Sequence, residues 1–205
     1  MEIINSELQK KAVEYLVSKD SVFKRFASKI QPPVWSFTGN YFIELVESIV
    51  SQQLSVKAAD TIFGRLKDIT SDSELTAEVL VQMDGQKMRD AGLSWSKVSY
   101  LKNIAEYTLV SDKVFEKFPQ MSNEEIIKEL TKIKGIGSWT AEMFLIFTMG
   151  RVDVFSYGDL GLRRAIQRWY GFKMEPTLNE LEEIVEKWEP YRSIASRYLW
   201  KSLDL

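Results

Sequence analysis

The 205-residue chain contains no cysteine and no histidine. Without thiols there are no disulfides and no thiolate metal sites. Without imidazole a Ser-His-Asp arrangement is impossible, and side-chain acid–base work falls to carboxylates, lysines or tyrosines. Long apolar runs are also missing: the longest, around 143–149, is far too short to span a bilayer. The opening Met-Glu-Ile-Ile-Asn-Ser-Glu lacks the charged-then-apolar pattern of a secretory signal. The expectation is a soluble intracellular protein, cytoplasmic and with no membrane partner. Neither sign of charge dominates, with 27 basic and 29 acidic residues and a net charge of −2. That balance argues against an indiscriminate nucleic-acid coat, yet a DNA-binding enzyme needs only a local basic surface.

Apolar residues make up 45% of the chain and are spread along it, which marks a globular protein of one compact domain or two small lobes. The apolar spacing is helical nearly throughout. Phe42, Leu45, Val46, Ile49 and Val50 follow i, i+3, i+4, i+7, i+8, and Ala59, Ile62, Phe63 and Leu66 repeat the pattern after Ser55, a candidate N-cap. Ser122 with Glu125, and Thr177 with Glu180, read as capping boxes. Gly92 followed by Ser94 reads as a helix stop and a new N-cap, so 91–101 is assigned to packing. No segment alternates in the manner of a strand, so the fold class is all-α. Gln31-Pro32-Pro33 is the clearest break and separates an N-terminal helical arm from the central helices.

Between two amphipathic helical patterns lies Leu-Thr-Lys-Ile-Lys-Gly-Ile-Gly-Ser-Trp-Thr-Ala, residues 130–141. Gly135-Ile136-Gly137 allows a tight turn and close approach of another molecule, and the next helix opens at once at Ser138. Its free N–H groups and positive dipole end suit a phosphate. The alternative is an ordinary helix C-cap and turn. Lys132, Lys134, Arg151, Arg163, Arg164 and Arg168 supply local positive charge, with Arg164 and Arg168 on one helix face. A solvated surface is the alternative for each. Downstream, Ser156-Tyr-Gly-Asp159 reads as a further capping box with Asp159 at its third helical position. A carboxylate in that first turn feels the positive dipole end.

Leu130, Ile133, Gly135, Ile136, Gly137, Thr140 and Ala141, together with Val-Phe-Ser-Tyr-Gly-Asp-Leu-Gly-Leu-Arg-Arg at 154–164, resemble the helix-hairpin-helix DNA glycosylase superfamily. The resemblance is to its 3-methyladenine DNA glycosylase II branch and covers roughly residues 34–204. It implies two helical lobes with a cleft between them: 34–151 carrying the hairpin, and 1–33 plus 152–205 carrying a catalytic aspartate. The absence of cysteine excludes the iron–sulfur cluster of some superfamily members. The implied function is monofunctional, hydrolytic excision of alkylated purines in base excision repair. The implied partner is damaged double-stranded DNA and the implied state a monomer, nucleoid-associated or nuclear according to the cell type. A non-catalytic helix-hairpin-helix DNA-binding module is the alternative.

By the same resemblance Asp159 is the catalytic anion. Breaking a sugar–base bond builds oxocarbenium character at the sugar, which a fixed carboxylate stabilises. A cationic methylated purine leaves without a strong acid, in keeping with the absence of histidine. Trp139 stands where lyase-active relatives carry a lysine nucleophile, so no Schiff base forms here. Trp139 and Trp200 resemble base-stacking aromatics, and Met143 replaces a tyrosine one helical turn beyond Trp139. Gln52, Gln53 and Leu54 resemble the wedge loop that fills the gap left by a flipped nucleotide, with Gln53 at the plug. Ser48, with Glu47 out of register, disfavours adenine removal from mismatches. Lys134, Gly135, Ile136, Gly137, Thr140 and Arg163 are the expected DNA-backbone contacts. No catalytic metal or cofactor is expected. A structural Na or K ion on the backbone oxygens of Ile133 and Gly135 is the one ion the resemblance suggests.

Overall fold

A computed structural model describes residues 6–33, 39–70, 74–111 and 113–205. The expected lobe boundary at residue 34 and the first five residues of the N-terminal segment lie outside the described residues. Among the described residues every regular element is helical. None of these helices is long and apolar enough to cross a membrane.

In chain order the α-helices are α1 (Ser6–Lys19), α2 (Ser21–Ala27), α3 (Tyr41–Ser51), α4 (Val56–Asp68), α5 (Ala77–Gln82), α6 (Gly85–Asp90) and α7 (Trp95–Val110). They continue with α8 (Val114–Lys117), α9 (Asn123–Leu130), α10 (Ser138–Met143), α11 (Leu160–Tyr170), α12 (Leu178–Val185) and α13 (Arg192–Ser202). The chain forms two compact units, one of Met1–Ser36 with Leu145–Leu205 and one of Phe37–Phe144. They meet in sequence at Phe144–Leu145, where α10 runs into a π-helical turn over Phe144–Thr148.

In the Phe37–Phe144 unit, α7 packs against α3 and α5. The face of α3 expected from its spacing, Phe42, Leu45, Val46, Ile49 and Val50, is buried, as are Ala59 and Leu66 of α4. Local stops and starts follow the side chains. Ser55 Oγ accepts the amide of Ala58 at the start of α4, and Ser94 Oγ accepts that of Lys97 at the start of α7. Ser122 and Glu125 form a reciprocal capping box on α9. Gly92 turns the chain before Ser94 with φ +115°, a conformation that suits glycine.

The other unit buries Leu16 of α1, Phe23 and Phe26 of α2, Leu162 and Ile166 of α11, Leu181 of α12, and Leu199 of α13 in one core with Trp188. The N-terminal arm and the C-terminal helices thus share a core. Asp20 is buried inside it and caps α2 through the amides of Val22 and Phe23. Its second carboxylate oxygen accepts Trp188 Nε1–H at 2.9 Å and the hydroxyl of Tyr170. Burial together with that carboxylate raises the Tyr170 phenol far above its ordinary value. Thr177 and Glu180 form the second reciprocal box, on α12.

Candidate active site

Asp159 stands at the N-terminus of α11 as the N-cap itself, with φ −76° and ψ 116°, and its Oδ1 accepts the Leu162 amide at 2.8 Å. This corrects the capping box expected from Ser156, in which Asp159 would have been the third helical residue. The Ser156 carbonyl instead accepts the Asp159 amide at 3.1 Å, closing a turn just before the helix. Aspartate is itself among the strongest N-cap residues. The residue is 7% exposed. A buried carboxylate at a helix start is held by local backbone and faces the dipole's positive end.

A second donor reaches the same oxygen from 41 residues away: Trp200 Nε1–H bonds Asp159 Oδ1 at 2.9 Å. Trp200, expected as a stacking aromatic, is therefore also the hydrogen-bond partner of the candidate catalytic group. Gly161 makes room for this contact. A Cβ at Gly161 would stand 3.1 Å from Asp159 Oδ1 and 3.2 and 3.3 Å from Trp200 Cδ1 and Nε1. The loop leading to Asp159 is fixed from α13. Arg192 makes a bidentate pair with Asp153 at 2.6 and 2.7 Å, and Ser193 Oγ accepts the Val154 amide at 2.9 Å.

In the other unit, the hairpin joins α9 to α10. Leu130, Ile133 and Ile136 are buried, and the Ile136 amide bonds the Ile133 carbonyl at 3.0 Å. The two glycines have different reasons. Gly135 has φ +109°, and a Cβ there would lie 2.3 Å from the Tyr100 ring, so both backbone and packing demand glycine. Gly137 has an ordinary extended φ of −92° and open space where its Cβ would go. Nothing among the described residues requires glycine at 137. Lys134 extends from the turn with its side chain exposed, while its carbonyl accepts Asn103 Nδ2 at 2.8 Å. Lys132 is paired with Glu129.

Glu129 also accepts the hydroxyl of Tyr107, tying α9 to α7. Burial, then this bond, pushes the Tyr107 phenol up to about 12. The bond from Lys132, then that from Tyr107, holds the Glu129 carboxyl below its ordinary value.

The loop after α3 carries the expected wedge residues, and they separate into two kinds. Gln52 is tied down, its Nε2 reaching Thr140 Oγ1 of α10 at 3.4 Å and its carbonyl accepting Lys97 Nζ at 2.8 Å. Gln53 and Leu54 are exposed, and Gln53 takes a left-handed φ of +59°. That conformation costs a non-glycine residue about 1–2 kcal/mol. Lys97 holds the loop, donating also to the Val50 carbonyl at 2.8 Å, and burial lowers its ammonium's pKa. Sequence reasoning left Lys97 within a packing segment. The only signal was a lysine in the first turn of a helix, where the dipole disfavours a cation unless something else holds it.

Trp139 lies in the first turn of α10 and is 45% exposed, so it is not part of the hydrophobic core. Met143 is partly buried one turn further on. Thr140 is buried, so its hydroxyl serves Gln52. Arg163 is bound within the chain, to Glu175 through Nε, to the Tyr157 carbonyl through Nη1 and to the Pro176 carbonyl through Nη2. Those bonds fasten the segment after α11 and occupy the guanidinium expected at the DNA backbone. Arg164 and Arg168 are exposed on α11, four residues apart.

No group of three or more carboxylates that would hold a metal occurs among the described residues. The hairpin oxygens of Ile133 and Gly135 are neutral hard donors. Such a set fits a monovalent alkali ion and is too weakly charged for a catalytic divalent one.

A hairpin between two helices, with a buried helix-capping aspartate further along and every described element helical, is the arrangement of a helix-hairpin-helix protein. The chain belongs to the HhH-GPD superfamily of base excision DNA repair proteins, whose sequence profile matches residues 46–190. It is 41% identical to DNA-3-methyladenine glycosylase 1 of Schizosaccharomyces pombe over 79% of this chain and 72% of that one. The structure is similar to that of the Schizosaccharomyces pombe 3-methyladenine DNA glycosylase in complex with abasic DNA. The TM-score is 0.84, with 37% identity and 95% and 97% of the two chains covered. It is also similar to the DNA-3-methyladenine glycosidase from Bacillus halodurans, with TM-score 0.81, 36% identity, and 93% and 88% covered.

Proposed function

We propose that this chain is a monofunctional DNA glycosylase that extrudes alkylated purines of the 3-methyladenine class from damaged duplex DNA and hydrolyses their glycosidic bonds. The observation that carries the reading is Asp159, a buried carboxylate held by the Leu162 amide and the Trp200 indole. In the reaction the bond from C1′ to the purine nitrogen breaks and its electron pair leaves with the base, which neutralises a cationic methylpurine. Asp159 stabilises the positive charge left on the sugar, water adds its oxygen to C1′, and the water's proton passes to the carboxylate or to solvent. A fixed anion supplies this without reorganising as charge develops.

Trp139 supports the monofunctional reading, since an indole offers no amine for a Schiff base. Its exposed ring is a platform for an electron-poor alkylated base, a contact of about 0.5–2 kcal/mol. Met143, one turn beyond Trp139 on α10, is assigned to base contact with it, and Trp200 is assigned to base contact by its resemblance to a stacking aromatic. Gln53 and Leu54 fill the gap in the stack, with Gln52 as their anchor. The turn of Lys134, Gly135, Ile136 and Gly137 takes a phosphate. A Na or K ion on the oxygens of Ile133 and Gly135 would add positive charge beside that phosphate. The protein works on DNA as a monomer.

The test is chromatography of bases released from methylated duplex DNA, with borohydride present in a parallel reaction. Free 3-methyladenine or 7-methylguanine, intact strands and no trapped adduct are expected. A borohydride adduct would overturn the monofunctional assignment. Binding without release of any base would leave a DNA-binding module.

A further inference from the structure

Beyond Asp159 and Trp200, a third side chain belongs to this arrangement, and it sits on the π-helical turn. Phe144, Leu145, Ile146 and Thr148 of that turn are buried, whereas Phe147 is 41% exposed. An aromatic and β-branched run is a poor α-helix former. A π turn admits one residue more than an α turn, shifting the direction in which the following side chains point, and such turns recur at functional sites. Here the turn delivers Phe147 to α13. Its ring lies 5.3 Å from the Trp200 ring at an interplanar angle of 32°. The Arg197 guanidinium, one helical turn before Trp200, lies 5.1 Å from the centre of the Phe147 ring. Arg197 is partly buried, and that burial lowers its guanidinium to about 10.

We infer that Phe147 is a positioning residue for base excision: held by Arg197, it clamps the Trp200 indole so that Nε1–H stays on Asp159 Oδ1. The inference rests on the reading of Asp159 as the catalytic anion. An indole bonded through one N–H can still tilt, and a tilt takes the N–H out of line with Oδ1 and weakens its hold on the carboxylate. Ring contact on the indole removes that freedom, in the same way that supporting residues hold reacting groups to within fractions of an ångström.

The experiment is a double-mutant cycle read by two methods. Phe147→Leu, Trp200→Phe and the double variant are compared with wild type for single-turnover excision from methylated duplex DNA. In parallel, the indole N–H resonance of Trp200 is followed by NMR. Trp200→Phe identifies it by removing one of six tryptophan cross-peaks. Phe147→Leu should lower the excision rate roughly tenfold, the scale of one weakened bond to a charged group. It should also shift the Trp200 indole resonance and speed its hydrogen exchange. Phe147→Tyr should restore both. In the Trp200→Phe background Phe147→Leu should change the rate less than twofold. An unchanged Trp200 indole resonance and exchange rate in Phe147→Leu overturns the inference, and so does an equal loss in the two backgrounds. Should wild type release no base, the proposed function fails on that result, and the NMR arm still decides whether Phe147 clamps Trp200.

Discussion

Asp159 and Trp200 lie 41 residues apart in sequence, and Trp200 Nε1–H bonds Asp159 Oδ1 at 2.9 Å. Gly161, two residues after the aspartate, is the space that lets them meet. Its absent Cβ would crowd both partners, at 3.1 Å from the oxygen and 3.3 Å from the indole nitrogen. Alanine in place of a helical glycine ordinarily stabilises a protein by about 0.5–1 kcal/mol. Crowding and the weakened bond oppose that gain, so Gly161→Ala should change stability by no more than about 1–2 kcal/mol while the excision rate falls roughly tenfold, as the bond to the carboxylate lengthens. Thermal unfolding and single-turnover kinetics on one preparation check the pair of outcomes.

The hairpin glycines should part company in the same manner. Gly135→Ala meets the Tyr100 ring at 2.3 Å and keeps a positive φ, so it should destabilise the fold by about 2–5 kcal/mol. Gly137→Ala meets none of the described residues, so its stability should stay within about 0.5 kcal/mol of wild type. If a phosphate approaches that backbone, Gly137→Ala should still weaken binding to abasic-site DNA. Chemical denaturation and fluorescence anisotropy separate the two effects.

The ammonium of Lys97 holds two carbonyls on the approach to the strained Gln53, those of Val50 and Gln52. Lys97→Met keeps the apolar stem and leaves both carbonyls without that donor, which should cost about 1–3 kcal/mol. A wedge matters only where a stack must be opened. The variant should therefore lose roughly tenfold in excision from duplex DNA and much less from single strands. Equal losses on both substrates would show that Lys97 does not act through the wedge loop.

Alkaline pH should loosen α9 from α7. The Tyr107 phenol titrates at about 12 in the folded protein, against an ordinary value of 10. A raised folded value means that its contribution is complete below pH 10 and is lost as pH climbs towards 12. Tyr107→Phe should be less stable than wild type by about 1 kcal/mol at pH 8, and that gap should close across the window. Melting temperatures of both proteins against pH measure it.

The helices were legible wherever one turn of chain decides the outcome. Phe42 to Val50 declared a buried face, and Ser55, Ser94, Ser122 and Thr177 declared starts, because capping and 3.6-residue periodicity act over four residues. The same local logic misplaced Asp159 within its cap, since Ser156 and Asp159 are both good cap residues and only the turn between them chooses. Asp159, Trp139 and the hairpin were marked by resemblance. Gly161, Phe147 and Lys97 were not, because each draws its role from a partner tens of residues away. Trp200 is 39 positions beyond Gly161, and the π turn that aims Phe147 has no spacing signature.

The account stands most directly on the carboxylate of Asp159. Asp159→Asn keeps the shape and can still accept the Leu162 and Trp200 donors through its side-chain oxygen, while removing the charge. Single-turnover release of 3-methyladenine from methylated duplex DNA should fall by roughly 100-fold or more, with affinity for abasic-site DNA within about threefold of wild type. Release at the wild-type rate by Asp159→Asn would contradict the mechanism and remove Asp159 from it.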